Sequence, residues 1–281
     1  MNAEMKGKVC IVTGANGGIG KATAAALAQR GATVILACRD QARGEAAKNE
    51  IISATGNSDI QVMRVDLANQ ESIREMVTRF YAIRNRLDVL VNTAAVFKAQ
   101  RTTTPDGLET MFAVNHLGVF RLTNLLLDTL TASAPSRVLV ATAPSTVQLD
   151  FDDLQGAQKF RPLWAFGASK MCNLLFTYEL ARRLEGTGVT VNAVHPGLVK
   201  SNLMREAPPM MRWVTQLVSS RPEKPAAALA RLASSPEVAG VTGKFFKDGQ
   251  EIESSPYSHD RNAQRRLWDT SVALTDRTRP I

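Results

Sequence analysis

Six short apolar runs rich in β-branched residues recur along the chain, at Val9 to Val12, Thr33 to Ala37, Ile60 to Val65, Val89 to Val91, Val138 to Ala141 and Val189 to Val194. Longer stretches with helical spacing separate them, among them the alanine-rich Ala22 to Gln29. Most of the runs are close to continuously apolar, with Gln61, Arg64, Thr190 and Asn192 as the clearest interruptions, so the strands are expected to be buried on both faces. Such strands alternating with helices predict an α/β fold with a doubly wound parallel sheet covered on both sides, and they put the ligand crevice at the strands' carboxyl ends.

Length and composition change this picture little. At 281 residues and 44% hydrophobic content the chain can bury a large core, and no repeat, low-complexity stretch or linker divides it. A single domain over 1–281 is expected. The cysteines Cys10, Cys38 and Cys172 are odd in number and fall in core elements, so they read as buried thiols rather than a disulfide framework or a metal cluster. Met1 to Lys8 has no apolar signal core, and no run reaches the roughly 18 to 20 apolar residues of a membrane span. A cytoplasmic protein is expected. The net charge of +8 is spread among acids, and its densest group, Arg261, Arg265, Arg266, Arg277 and Arg279, lies near one end. This pattern reads as a solvated basic face, not a nucleic-acid surface.

Candidate chemistry begins after the first strand, where Thr13-Gly14-Ala15-Asn16-Gly17-Gly18-Ile19-Gly20 leads into Ala22 to Gln29. A glycine turn that opens a helix brings backbone N–H groups and the positive helix end to a pyrophosphate, an approach that larger side chains would block. The end of the second strand chooses between dinucleotides. A carboxylate there accepts from a ribose 2′-hydroxyl, and an arginine meets a 2′-phosphate. Arg39 holds that place, with Asp40 beside it and Glu45 as a surface ion-pair alternative for the arginine.

The spacing Thr-Gly-x-x-x-Gly-x-Gly resembles the short-chain dehydrogenase/reductase family, and the rest of the chain supplies similar landmarks in order. They are Asp66-Leu67, Asn92-Thr93-Ala94-Ala95, Asn115 within Met111 to Gly118, the run Arg137 to Ala143 as fifth strand, Phe166 to Lys170, and His195-Pro196-Gly197. The likeness spans essentially the whole chain. It is nearest the retinol-dehydrogenase-like branch, through Ala37-Cys38-Arg39-Asp40, Phe151-Asp152-Asp153-Leu154, Gly243-Lys244-Phe245-Phe246 and Leu267-Trp268. It implies a Rossmann-type sheet of about seven strands and NADP(H) as cofactor. The implied cofactor contacts are Gly14, Asn16, Gly18, Ile19, Gly20, Arg39, Asp66, Leu67, Asn92, Ala94 and Lys170, then Pro196, Gly197, Val199 and Ser201. A homodimer or homotetramer formed on helices Pro105 to Leu130 and Phe166 to Arg183 is also implied.

The same resemblance exposes a gap. The family's catalytic asparagine and lysine map to Asn115 and Lys170, but its tyrosine maps to Phe166 and its serine to Ala143. Losing a general acid costs about 10² to 10⁴ in rate, and losing an oxyanion donor about 10² to 10³. Ser145 has the side-chain parity to replace Ala143 as donor if the strand persists past Pro144. His116 and His195 read as structural residues of the family rather than substitute acids. Several outcomes stay open: an atypical NADP(H)-dependent oxidoreductase on a hydrophobic molecule with an activated C=C, iminium or carbonyl, a silent dinucleotide-binding scaffold, an inactivated carbonyl reductase, or an isomerase or cyclase. Residues 200–225 are expected to form a substrate lid, with Met204, Met210, Met211, Trp213 and Leu217 suiting a flexible apolar ligand.

Overall fold

In the computed structural model, residues 4–199, 203, 205–207, 219 and 221–276 are described. The six apolar runs form β1 (Val9–Thr13), β2 (Thr33–Cys38), β3 (Ile60–Arg64), β4 (Val89–Asn92), β5 (Ser136–Ala141) and β6 (Val189–His195). Two shorter strands, β7 (Phe245–Lys247) and β8 (Gln250–Glu251), complete one sheet in the order β3-β2-β1-β4-β5-β6-β7-β8. Strands β1 to β7 pair in parallel and β8 lies antiparallel to β7, so the expected seven-strand count is exceeded by one antiparallel edge strand. The fifth strand ends at Ala141, not at Ala143.

Alternation along these strands explains why they carry no polar face. In β1, Val9 and Ile11 enter one core with Ile35 and Ala37 of β2, while Cys10 and Val12 enter the opposite core with Val34 and Leu36. Helices α1 (Gly18–Gln29) and α2 (Gln41–Thr55) cover the second face through Ala24, Leu27 and Ile51, joined by α7 (Glu223–Ser234) through Leu229 and Leu232. The first face is covered by α3 (Gln70–Ile83) through Phe80, by α5 (Gly118–Ala132) through Leu126 and by α6 (Pro162–Arg183) through Phe176. A short α4 (Thr110–Phe112) runs through a π-helical turn, Ala113–Leu117, into α5.

The chain winds outward from β1 to β3 and returns to β4 on the other side of β1. That reversal opens a crevice beyond the carboxyl ends of β1 and β4. The last helix, α8 (Arg261–Asp276), packs over α5 and α6. Its Trp268 ring lies 4.9 Å from Phe120 and 6.1 Å from Phe176, and its Ser271 Oγ lies 2.9 Å from His116 Nε2. The helix faces expected to carry self-association are therefore partly covered from within the chain. Cys10, Cys38 and Cys172 are buried free thiols, as their positions led us to expect. Among the described residues, no helix is long and apolar enough to cross a membrane.

Candidate active site

The turn after β1 is built by close approach. Gly14 has φ +67°, and a Cβ on Gly20 would stand 2.5 Å from the Gly14 carbonyl oxygen and 2.8 Å from Thr93 Oγ1. Helix α1 is thus pressed directly on the turn, as only glycine permits. Thr13 Oγ1 accepts from the N–H groups of Thr93 (3.0 Å) and Ala94 (3.2 Å), and Thr93 Oγ1 donates to the Thr13 carbonyl, so the ends of β1 and β4 are fastened together. Gly17 at the start of α1 offers no side-chain cap. The first-turn N–H groups of Gly18, Ile19 and Gly20 therefore face the crevice as uncapped donors, with Asn16 half-buried beside them.

At the end of β2 the two charged neighbours separate. Asp40 Oδ1 accepts from Arg43 N at 3.0 Å and caps α2, which commits that carboxylate to the helix. Glu45 takes Gln41 Nε2 at 3.0 Å and Lys48 Nζ at 3.5 Å, not Arg39. Arg39 is exposed and has no ion pair among the described residues. A residue that the sequence reading missed joins it: Arg43 Nη2 lies 3.9 Å from where a Cβ on Gly17 would be, so a second guanidinium overlooks the glycine turn. Its one signal in the sequence is the four-residue spacing from Arg39. Nothing local shows that the first turn of α2 meets that of α1.

The other cofactor candidates line the same end of the sheet. Asp66 Oδ1 accepts from Ala68 N at 3.0 Å, and buried Leu67 abuts Gly118, where a Cβ would come within 2.7 Å of the Leu67 carbonyl oxygen. Asn92 is buried, with Nδ2 donating to Thr123 Oγ1 at 3.3 Å and Oδ1 unpartnered. Beyond β6, Gly197 has φ +72° and its N–H donates to His195 Nδ1 at 3.4 Å. Pro196 and Val199 are half-buried, and Ser201 lies outside the described residues.

Around α6 the catalytic candidates converge. Asn115 sits fully buried in the π turn, a distortion common at functional sites. Its Oδ1 accepts from Val96 N at 2.7 Å, and its Nδ2 donates to Val96 O and to Ser169 Oγ, both at 3.0 Å. Ser169 Oγ in turn donates to Phe166 O at 2.7 Å. Ser169, also missed from sequence, thereby ties the asparagine to the helix turn carrying Phe166 and Lys170. The strand ends before Ala143, so the parity argument for Ser145 does not apply. Beyond the strand, Ser145 Oγ donates to Gly167 O at 2.9 Å while accepting from Val147 N at 3.3 Å. Thr142 Oγ1 donates to Lys170 O at 2.8 Å and so faces the same helix. Ala143 between them is half-buried and brings no polar group.

Lys170 is buried, and desolvation pushes its pKa down from the usual 10.5 to about 8. Its Nζ lies 5.1 Å from the centroid of the Phe166 ring, a cation–π contact. The same ring packs edge-on against Phe97 at 5.8 Å, within an apolar cluster that includes Met111, Phe160, Leu203 and Ala207. Lys98 Nζ and Glu206 Oε1, 2.8 Å apart, close this cluster at one end. Met204, Met210, Met211, Trp213 and Leu217 of the expected lid lie outside the described residues. His116 is held neutral by burial, its pKa down to about 4, and His195 is shifted in the same direction, by burial and then by Lys247.

The chain is similar to known proteins over nearly its whole length. The family described as short chain dehydrogenase matches residues 8–212. Retinol dehydrogenase 14 of Mus musculus is 43% identical over 96% of this chain and 86% of its own length. Retinol dehydrogenase 13 of Homo sapiens is 42% identical over 97% and 86%. An uncharacterised protein of Mycobacterium paratuberculosis, known from a crystal structure, superposes with a TM-score of 0.78 at 32% identity, covering 98% of this chain and 96% of that one.

Proposed function

The chain belongs to the short-chain dehydrogenase family, and from that premise we propose that it is an NADP(H)-dependent oxidoreductase acting on a hydrophobic small molecule without a tyrosine acid. The observation that carries this reading is the pair of buried residues Asn115 and Lys170, the first tied through Ser169 to the turn of Phe166 and the second lying over the Phe166 ring. The residues present fit the cofactor. Uncapped N–H groups of Gly18, Ile19 and Gly20 suit its pyrophosphate, Arg39 and Arg43 suit a 2′-phosphate, and Lys170 suits ribose hydroxyls. Bound there, the reduced nicotinamide supplies a hydride.

What remains to this chain's own residues is positioning. The Asn115–Ser169 link fixes the turn that carries Lys170, and the Phe97–Phe166 pair supplies an apolar wall for a hydrocarbon. A conjugated C=C, an iminium or an aldehyde flanked by a hydrocarbon chain is the substrate class, because such acceptors develop less oxyanion or tolerate its protonation by solvent. The names of the relatives point toward retinoid-like polyenes within that class. A second reading, dinucleotide binding without turnover, is favoured by one observation. Neither 143 nor 166 bears a hydroxyl, and the Ser145 proton is committed to Gly167. A fluorescence titration with NADPH and NADH, followed by hydride-acceptor screening, decides between them. Tight NADPH binding with turnover of an enal or aldehyde supports the first reading, and tight binding with no turnover supports the second. No binding of either dinucleotide removes both.

A further inference from the structure

Among the described residues, Lys170 is the one buried lysine, 6% exposed, and no carboxylate pairs with it. Lys8, Lys21, Lys48, Lys98, Lys224 and Lys244 all have acidic partners at 2.5 to 3.5 Å. The Lys170 ammonium instead lies over the Phe166 ring, 5.1 Å from the centroid, and that ring belongs to an apolar cluster with Phe97, Phe160 and Ala207. An amine beside an apolar wall, with no counter-ion to hold its proton, is the environment in which lysine becomes a carbonyl nucleophile.

We propose that Lys170 captures hydrophobic aldehydes covalently and reversibly, with the hydrocarbon chain lying along Phe166 and Phe97. The unprotonated Nζ lone pair attacks the carbonyl carbon and the oxygen takes a proton from solvent, giving a carbinolamine. Loss of that oxygen as water leaves a protonated imine, and addition of water reverses the sequence without any oxidant or reductant. The Phe166 face that holds the ammonium also holds the imine's positive charge, and the depressed basicity of Lys170 supplies free amine near pH 8. This site needs no dinucleotide and no hydride transfer, so it stands or falls separately from the reading above.

The test uses the full chain, decanal and sodium cyanoborohydride at pH 8, with peptide mass mapping of the reduced decyl adduct. Labelling of Lys170 is expected to run at least about tenfold faster than that of exposed Lys6 and Lys159, because its depressed basicity leaves free amine at that pH and the Phe166 ring gathers the decyl chain beside it. It is also expected to favour decanal over acetaldehyde, to be slowed by saturating NADPH if that cofactor binds, and to vanish in Lys170→Arg. The map of the unsubstituted chain decides the matter even where Lys170→Arg fails to fold. Uniform labelling of all lysines, or a lysine elsewhere that labels as fast as Lys170, overturns the proposal; labelling of the α-amino group, which is largely unprotonated at pH 8, is expected in either case.

Discussion

Lys170 Nζ stands 5.1 Å from the centroid of the Phe166 ring, so the lysine of this site faces an aromatic ring that bears no hydroxyl, at the position to which the family resemblance assigns a tyrosine. The contact sits four residues apart on one helix face and next to Gly167, whose carbonyl takes the Ser145 proton. If the missing hydroxyls limit ordinary carbonyl reduction, restoring them restores rate. The pair Phe166→Tyr and Ala143→Ser is expected to raise NADPH-dependent reduction of hydrophobic aldehydes by about 10² or more. Steady-state oxidation of NADPH with decanal measures this. An unchanged rate would mean that the pocket differs from a carbonyl reductase in more than these two side chains.

Arg43 approaches the glycine turn from the first turn of α2, Arg39 is exposed at the end of β2, and Asp40 is committed to capping α2. Replacing either arginine by alanine is expected to weaken NADPH binding about 10- to 100-fold, the worth of one charge-assisted hydrogen bond, and to leave NADH binding within about twofold. Parallel fluorescence titrations check it. Equal weakening toward both dinucleotides would assign these arginines to the shared pyrophosphate rather than to a 2′-phosphate.

How much of this was legible in sequence depends on the range of the interaction concerned. Strands β1, β2 and β4 were legible because burial on both faces demands nearly unbroken apolar runs, β3, β5 and β6 because apolar β-branched residues still dominate them, and the glycine turn because its backbone leaves room only for hydrogen. The two-residue β8 carries no such pattern; its place comes from pairing with β7. The π turn around Asn115 and the role of Ser169 were hidden for the same reason, since their bond joins residues 54 apart. Ser145 shows the opposite failure. Strand parity is a sound rule only while a strand continues, and β5 stops before Ala143.

Gly118 tests whether the π turn is held from below. A methyl group there would lie 2.7 Å from the Leu67 carbonyl oxygen and 2.8 Å from Leu67 Cβ, closer than packed atoms tolerate. Gly118→Ala is expected to destabilise the chain by about 1 to 3 kcal/mol through overpacking, and to reduce dinucleotide affinity by moving Leu67 or Asn115. Thermal unfolding with and without NADPH reads both effects. A full retention of stability would show that the loop of Leu67 yields freely.

His116 couples the helix of Asn115 to α8 through its 2.9 Å contact with Ser271, and burial, partly opposed by the Asn173 amide, holds its pKa near 4 against 6.5 in an unfolded chain. Between those two values the unfolded state binds the proton and the native state does not, so stability rises with pH across the window. The contribution is fully present above pH 6.5 and is lost as pH falls toward 4, a change on the order of 3 kcal/mol if His116 alone is counted. His195, also shifted down, acts in the same direction. Urea unfolding at pH 7.5, 6.5, 5.5 and 5.0 is expected to show a steady loss of stability, and His116→Gln is expected to flatten most of that slope while weakening the chain at pH 7.5. Trp268, packed on Phe120 and Phe176 beside this contact, provides the local fluorescence signal. If the slope persists unchanged in His116→Gln, the acid sensitivity belongs to His195 or to carboxylates, and His116 tolerates its proton where it is buried.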